Sequence, residues 1–119
     1  MKRIVLSFFL IVLANSARLE AHAFLKDAEP GVGSTAQASP NEVRIRFTEN
    51  IEPAFSKIQV FDPSGKEVDK RDVHLDSSDH ALLHVSLPQL GAGVYKVVWR
   101  VVSVDTHVTN GSFTFRIVR

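Results

Sequence analysis

Chemistry concentrates in the stretch from Trp99 to Phe115, WRVVSVDTHVTNGSFTF, where Asp105 and His107 stand two residues apart. In an extended segment such residues project to the same side, so the spacing presents a carboxylate and an imidazole together. That pair is half of a metal site, or else a surface hydrogen-bonded pair with no ligand. The other half is His22, once the chain has been cut just before it. A terminal histidine offers a free amine, with an unperturbed pKa of about 7.7–8.0, and a ring Nδ1. Together these close a six-membered chelate ring on a metal, which an internal histidine cannot do. With the His107 ring added, three nitrogens lie roughly in a plane, and Asp105 or water supplies oxygen. Tetragonal nitrogen and oxygen donors without sulfur favour Cu(II), which also tops the divalent affinity order. Zinc accepts the same atoms but prefers a tetrahedron.

Other chemistries lack their residues. The chain has no nucleophile elbow, phosphate-binding glycine loop, His-Glu-x-x-His or calcium loop. It has no cysteine, so thiolate ligation is excluded along with any disulfide. Its ten aromatic residues (eight Phe, one Tyr, one Trp) mostly alternate inward, which argues against a stacking platform for single-stranded nucleic acid. His74, His80 and His84 read as solvated, in polar loops or on the wet face of a strand, with His80 and His84 at most a weak extra site.

The elements that must hold these residues begin after a leader. Lys2 and Arg3 precede an apolar run from Ile4 to Ala14 that is too short to span a bilayer, and small residues follow; this is the pattern of a secretory signal. Cleavage after Ser16 (Ala14-Asn15-Ser16) satisfies the small-x-small rule better than cleavage after Ala21, which has Leu19 two before its last residue, and the rule alone does not choose. Cutting after Ala21 removes Lys2, Arg3, Arg18 and Glu20, leaving 11 basic and 12 acidic residues. That balance gives no electrostatic reason to bind nucleic acid or an anionic membrane. About 98 residues remain, enough for one domain held by packing alone.

Within them the period is two. His22 to Asp27 starts an edge strand, which ends at Glu29-Pro30-Gly31; Val32 to Pro40 is a loop. Val43, Ile45 and Phe47 alternate with Arg44, Arg46 and Thr48, and Pro53 stops that strand. Ile58 and Val60 form another, closed by the turn Asp62-Pro63-Ser64-Gly65. Lys66 to Asp79 is charged and reads as an edge strand with exposed loops. Leu83, Val85 and Leu87 give a half-buried strand; Tyr95, Val97, Trp99 and Val101 are the strongest inward set; Phe113, Phe115 and Ile117 make the last strand, set off from the Asp105–His107 loop by a turn at Gly111. About seven short strands without a helical period predict an all-β, single antiparallel Greek-key barrel or immunoglobulin-like sandwich, with Trp99 in its core.

Several blocks of these residues resemble the CopC family of periplasmic copper-binding proteins. They are His-Ala-Phe-Leu from His22, the Glu-Pro-Gly turn, Phe47-Thr48-Glu49-Asn50, Tyr95 to Arg100, Ser103-Val104-Asp105-Thr106-His107, and Gly111 to Phe115. The resemblance spans essentially the whole chain after the leader. It implies a Greek-key barrel with one Cu(II) at one end, held by the amine and ring of His22 with Asp105 and His107. A glutamate near the metal in some members corresponds to Glu49, as a weak ligand or a hydrogen-bond partner of one. The same resemblance favours cleavage after Ala21, giving residues 1–21 as signal and 22–119 as the copper-binding domain. Better-known members carry a second, methionine-rich Cu(I) site. The only methionine here is Met1, so the resemblance is to members with the Cu(II) site alone.

The expected protein is therefore a periplasmic, monomeric Cu(II)-binding protein of copper homeostasis and resistance. It sequesters copper or, as the resemblance implies, passes it to a CopD-type inner-membrane partner. Binding rather than turnover is expected, and Ser103 and Thr106 are expected to tune the loop by hydrogen bonds. An oxidative copper enzyme of the histidine-brace kind is the second reading; it needs an extended substrate face with exposed aromatics. A metal-free immunoglobulin-like interaction module is the third.

Overall fold

A computed structural model describes residues 23–119 of the chain. The signal segment, its cleavage site and His22 lie outside the described residues. The alternating stretches form eight strands: β1 (Leu25–Glu29), β2 (Thr35–Ala36), β3 (Glu42–Phe47), β4 (Lys57–Phe61), β5 (His74–Leu75), β6 (Leu82–Ser86), β7 (Gly93–Val102) and β8 (Val108–Ile117). A single 3-10 turn, Pro53–Phe55, separates β3 from β4. One sheet has the order β1-β3-β6-β5 and the other β2-β8-β7-β4. The fold is all-β, as the alternation predicts, in two facing sheets. The pairing is antiparallel except that β2, in the stretch expected to be a plain loop, adds to β8 in parallel.

The predicted inward set is the core. Val43, Ile45 and Phe47 from β3 and Leu83 and Val85 from β6 meet Ile58, Val60, Val97, Val101 and Phe115 from the second sheet, all buried. Each such side chain taken out of water contributes about 1.5–3 kcal/mol. Trp99 is buried with them, edge-on to Phe47 with ring centroids 5.2 Å apart. Gly111 lies inside β8 directly opposite Trp99, not in a turn. A Cβ there would sit 2.6 Å from Trp99 Cζ2, so the indole occupies the space a side chain would need. Gly111→Ala is expected to cost about 1–3 kcal/mol through overpacking. The check is a melting temperature lower by about 4–8 °C per kcal/mol.

The outer face of β6 differs from the expectation of a half-wet strand. His84 is only 9% exposed. Its Nδ1 lies 3.0 Å from Glu42 Oε1 on β3, its Nε2 lies 2.9 Å from Asp76 Oδ1, and the His74 ring stacks on it at 5.2 Å. Short β5 and the turn after it fold over β6, so a residue on the outward side is covered all the same. His84 pairs with His74 and two carboxylates, not with His80, and His74 Nδ1 reaches the Asp72 carbonyl at 2.7 Å.

Asp76 is held down to about 2, first by the Ser78 hydroxyl and amide and then by His84. An unfolded aspartate titrates near 3.9. The lowered folded value stabilises the protein above about pH 4, and that stabilisation is lost as pH falls toward about 2. Asp76→Asn is therefore expected to be less stable than the parent at neutral pH, with the gap closing between about pH 4 and 2. Denaturation followed by the single tryptophan's fluorescence at each pH reads that gap directly.

Candidate metal centre

The ten-residue strands β7 and β8 form a long hairpin whose last pair is Val102 with Val108, leaving residues 103–107 as its tip. Asp105 and His107 do come together there, with Oδ2 of the first 3.2 Å from Nδ1 of the second. The cause is not strand alternation, because the tip is a turn. The Thr106 amide donates to the Ser103 carbonyl at 2.8 Å, and the Ser103 amide to the His107 carbonyl at 3.0 Å. Thr106 itself has φ of 73°, a left-handed conformation uncommon for a β-branched residue. Its hydroxyl donates to the Asp105 carbonyl. Backbone strain of this kind gathers at functional sites, held by the surrounding structure.

Ser103 is fully buried, and its hydroxyl donates to Asp105 Oδ1. That bond first, and the His107 ring second, hold the Asp105 carboxyl below the usual carboxylate range, so it is ionised near neutral pH. An anion on Nδ1 keeps the ring proton there and leaves the Nε2 lone pair as the donor, which is how carboxylates orient metal-binding histidines. The loop-tuning role expected of Ser103 and Thr106 is thus what their hydroxyls do.

Two other segments reach the same end. After β3 the chain is pinned to the hairpin: the Glu52 amide donates to the Val102 carbonyl at 2.8 Å and the Val104 amide to the Asn50 carbonyl at 3.0 Å. Glu49 therefore stands on a segment fixed beside the tip. The first described residues arrive here as well. The Thr109 hydroxyl donates to the carbonyl of buried Ala23. The Phe24 amide donates to Thr48 Oγ1 at 3.0 Å, and the Thr48 amide returns a bond to the Phe24 carbonyl at 2.9 Å. Thr48 belongs to the Phe47-to-Asn50 block; Thr109 carries no signal in the sequence that marks it as an anchor.

Among the described residues no group of three histidine, aspartate or glutamate side chains is arranged to hold a metal. What stands at this end is one imidazole, one ionised carboxylate that has lone pairs beyond those its partners use, and the anchored segment Ala23–Phe24. This is a nitrogen-and-oxygen donor set, suited to Cu(II) or zinc and unsuited to a soft ion.

Comparison with known proteins fits this picture. The family model described as "CopC domain" matches residues 25–118. The copper transport protein CutJ of Bacillus subtilis is 32% identical over 115 residues, covering 96% of this chain, whereas this chain spans only 21% of that relative's length. Among solved structures, CopC from Methylosinus trichosporium OB3b superposes with a TM-score of 0.76 at 35% identity, covering 81% of this chain and 93% of that one. PcoC, a methionine-rich copper resistance protein from Escherichia coli, gives 0.72 at 30% identity, covering 82% and 100%.

Proposed function

This chain belongs to the CopC family, and from that premise we propose that it is an exported protein that binds one Cu(II) and holds or hands on the ion. The ligands are the amine and ring of His22, the ring of His107 and the carboxylate of Asp105, with Glu49 as a weak ligand or a hydrogen-bond partner of one. The observation that carries this reading is the convergence at one end of the sandwich. Ala23, the first described residue, is tied by its carbonyl to Thr109, two residues beyond His107. Relatives that serve copper transport and copper resistance agree with copper as cargo. Met1 is the sole methionine, so the methionine-rich character of PcoC has no counterpart in residues 22–119, and thioether ligation has no donors there.

Export places the protein in the periplasm after cleavage behind Ala21, where it acts as a monomer by binding and release rather than by turnover. Copper passes to a membrane partner of the CopD type. Among the described residues no helix is long and apolar enough to cross a membrane.

The binding groups must shed protons, so affinity falls with acid. With an ordinary value for an α-amine, Cu(II) affinity is expected to drop about tenfold per pH unit from about 7.5 to 6.5. A competition titration against a chelator of known affinity across that range, with intact and native mass spectrometry of the exported protein, tests the whole reading. It expects a chain beginning at His22 with one copper, and a flat pH profile overturns it.

A further inference from the structure

The outer face of the β4-β7-β8 sheet carries a charge pattern that copper binding does not use. Its outward positions include Lys57 on β4, Lys96 and Arg100 on β7, and Arg116 on β8, and none of these outward positions is acidic. Among the described residues none of these four cations has a carboxylate within ion-pair distance, whereas the opposite sheet pairs Arg46 with Asp27 and Asp79, and Arg44 with Glu42. Glu67, which lines an adjoining cleft with Lys57, is engaged by Arg71 and by the Gln59 amide, each at 3.3 Å. Lys57 and Arg100 are direct cross-strand partners, and like charges so placed destabilise a sheet. A local rule broken without compensation inside the chain marks a surface shaped for something outside it.

Three of these cations, Lys57, Lys96 and Arg100, border a groove of about 820 Å³. Lys57 and Arg100 stand at one end and Lys96 at the other. Val98 and the edge of Trp99 lie between them, and Phe55, 67% exposed, stands at the side. Lys96 and Arg100 are four residues apart on one strand, roughly 13 Å. In an extended polypeptide, side chains four residues apart also lie roughly 13 Å apart on one side. An arginine beside a lysine suits a carboxylate, which the guanidinium grips with two parallel hydrogen bonds. The apolar strip between the poles suits a main chain lying in the groove, and a lipid surface would leave that strip empty.

We propose that this groove docks an extended acidic segment of the protein that exchanges copper with this one, with two carboxylates four residues apart seated on Lys57/Arg100 and on Lys96. Arg100 is three residues from Ser103 along β7, roughly 10 Å, so a docked segment delivers its flanking residues to the Asp105–His107 tip. The proposal rests on the copper reading for what is exchanged, but not for whether docking occurs.

The probe is an acetylated, amidated peptide, Thr-Glu-Val-Thr-Val-Glu-Thr, titrated into isotope-labelled, metal-free protein and followed by amide NMR shifts. Saturable binding is expected with shifts at Lys57, Lys96 to Arg100 and Ser112, weakened severalfold between about 20 and 300 mM salt. Charge reversal in Lys57→Glu/Arg100→Glu is expected to weaken it at least tenfold, as is placing both glutamates side by side in the peptide. These positions are exposed, so the variant keeps the parent's melting temperature and copper affinity. No saturation at millimolar peptide, binding indifferent to charge reversal or to glutamate spacing, or capture by phosphatidylglycerol vesicles but not by the peptide would overturn the proposal. A protein that docks the peptide and ignores copper would instead overturn the copper reading alone.

Discussion

His107→Ala is expected to weaken Cu(II) binding about a thousandfold, equivalent to about 4 kcal/mol, while leaving the metal-free protein as stable as its parent. The reason is the sparseness of the site. Among the described residues this end of the sandwich offers one imidazole and one carboxylate held on it, and no three-ligand cluster that could take over. Removing the ring removes a whole nitrogen donor from a set of about four. The His107 side chain is 48% exposed at a hairpin tip, and substitutions at such places usually change stability by no more than about 0.5 kcal/mol. Asp105→Ala should fall between His107→Ala and the parent. It takes away an oxygen donor and the group that orients the His107 ring, and losses of such orienting partners run to about 10–100-fold. Glu49→Gln should change affinity least. Chelator competition at fixed pH ranks the three, and calorimetric melts of the metal-free proteins show that the ranking is not one of folding. A His107→Ala protein that binds copper like its parent would remove the hairpin tip from the site.

The fold was open to reading in the sequence because burial on one face imposes a period of two that nothing else in a short chain produces. Val43, Ile45 and Phe47, or Tyr95, Val97, Trp99 and Val101, name their inward faces by alternation alone, and all are buried. Alternation is silent about what covers the other face. His84 falls on the outward side of β6, yet β5 and the Asp76 turn close over it. Only the tertiary path of a charged, weakly patterned segment could reveal that cover. The same blindness applies to the strand gained at Thr35–Ala36, whose two residues are too few to show a period.

A spacing of two pairs Asp105 with His107, and they do meet, but through a turn with Thr106 in a left-handed conformation. The spacing rule brings these two side chains together for a reason the structure replaces. Gly111 shows the reverse case. A glycine between two strands suggests a turn, but this one is required inside the strand by the indole opposite. Single-sequence reasoning sees that a glycine is permissive and cannot see which neighbour makes it necessary.

One acetyl group tests the chain start more sharply than any side-chain change. A protein acetylated at the His22 α-amine keeps every side chain and loses only the amine that completes the chelate ring with the ring nitrogen. Its Cu(II) affinity is expected to be lower by about two to three orders of magnitude near neutral pH, about 3–4 kcal/mol. The pH profile identifies the cause. Where an α-amine titrates, near 7.7–8.0, its release of a proton makes affinity climb with pH. Between about pH 6.5 and 7.5 the protein with a free amine at His22 should therefore gain about tenfold per pH unit, while the acetylated protein should be much flatter. The acetyl amide cannot restore the ring, because its nitrogen keeps its proton and offers the metal no lone pair. Ala23 and Phe24 stay bonded to Thr109 and Thr48 in either protein, so the melts of the metal-free forms should coincide. Matching copper affinities and matching pH profiles in the two proteins would show that the terminal amine is not a ligand.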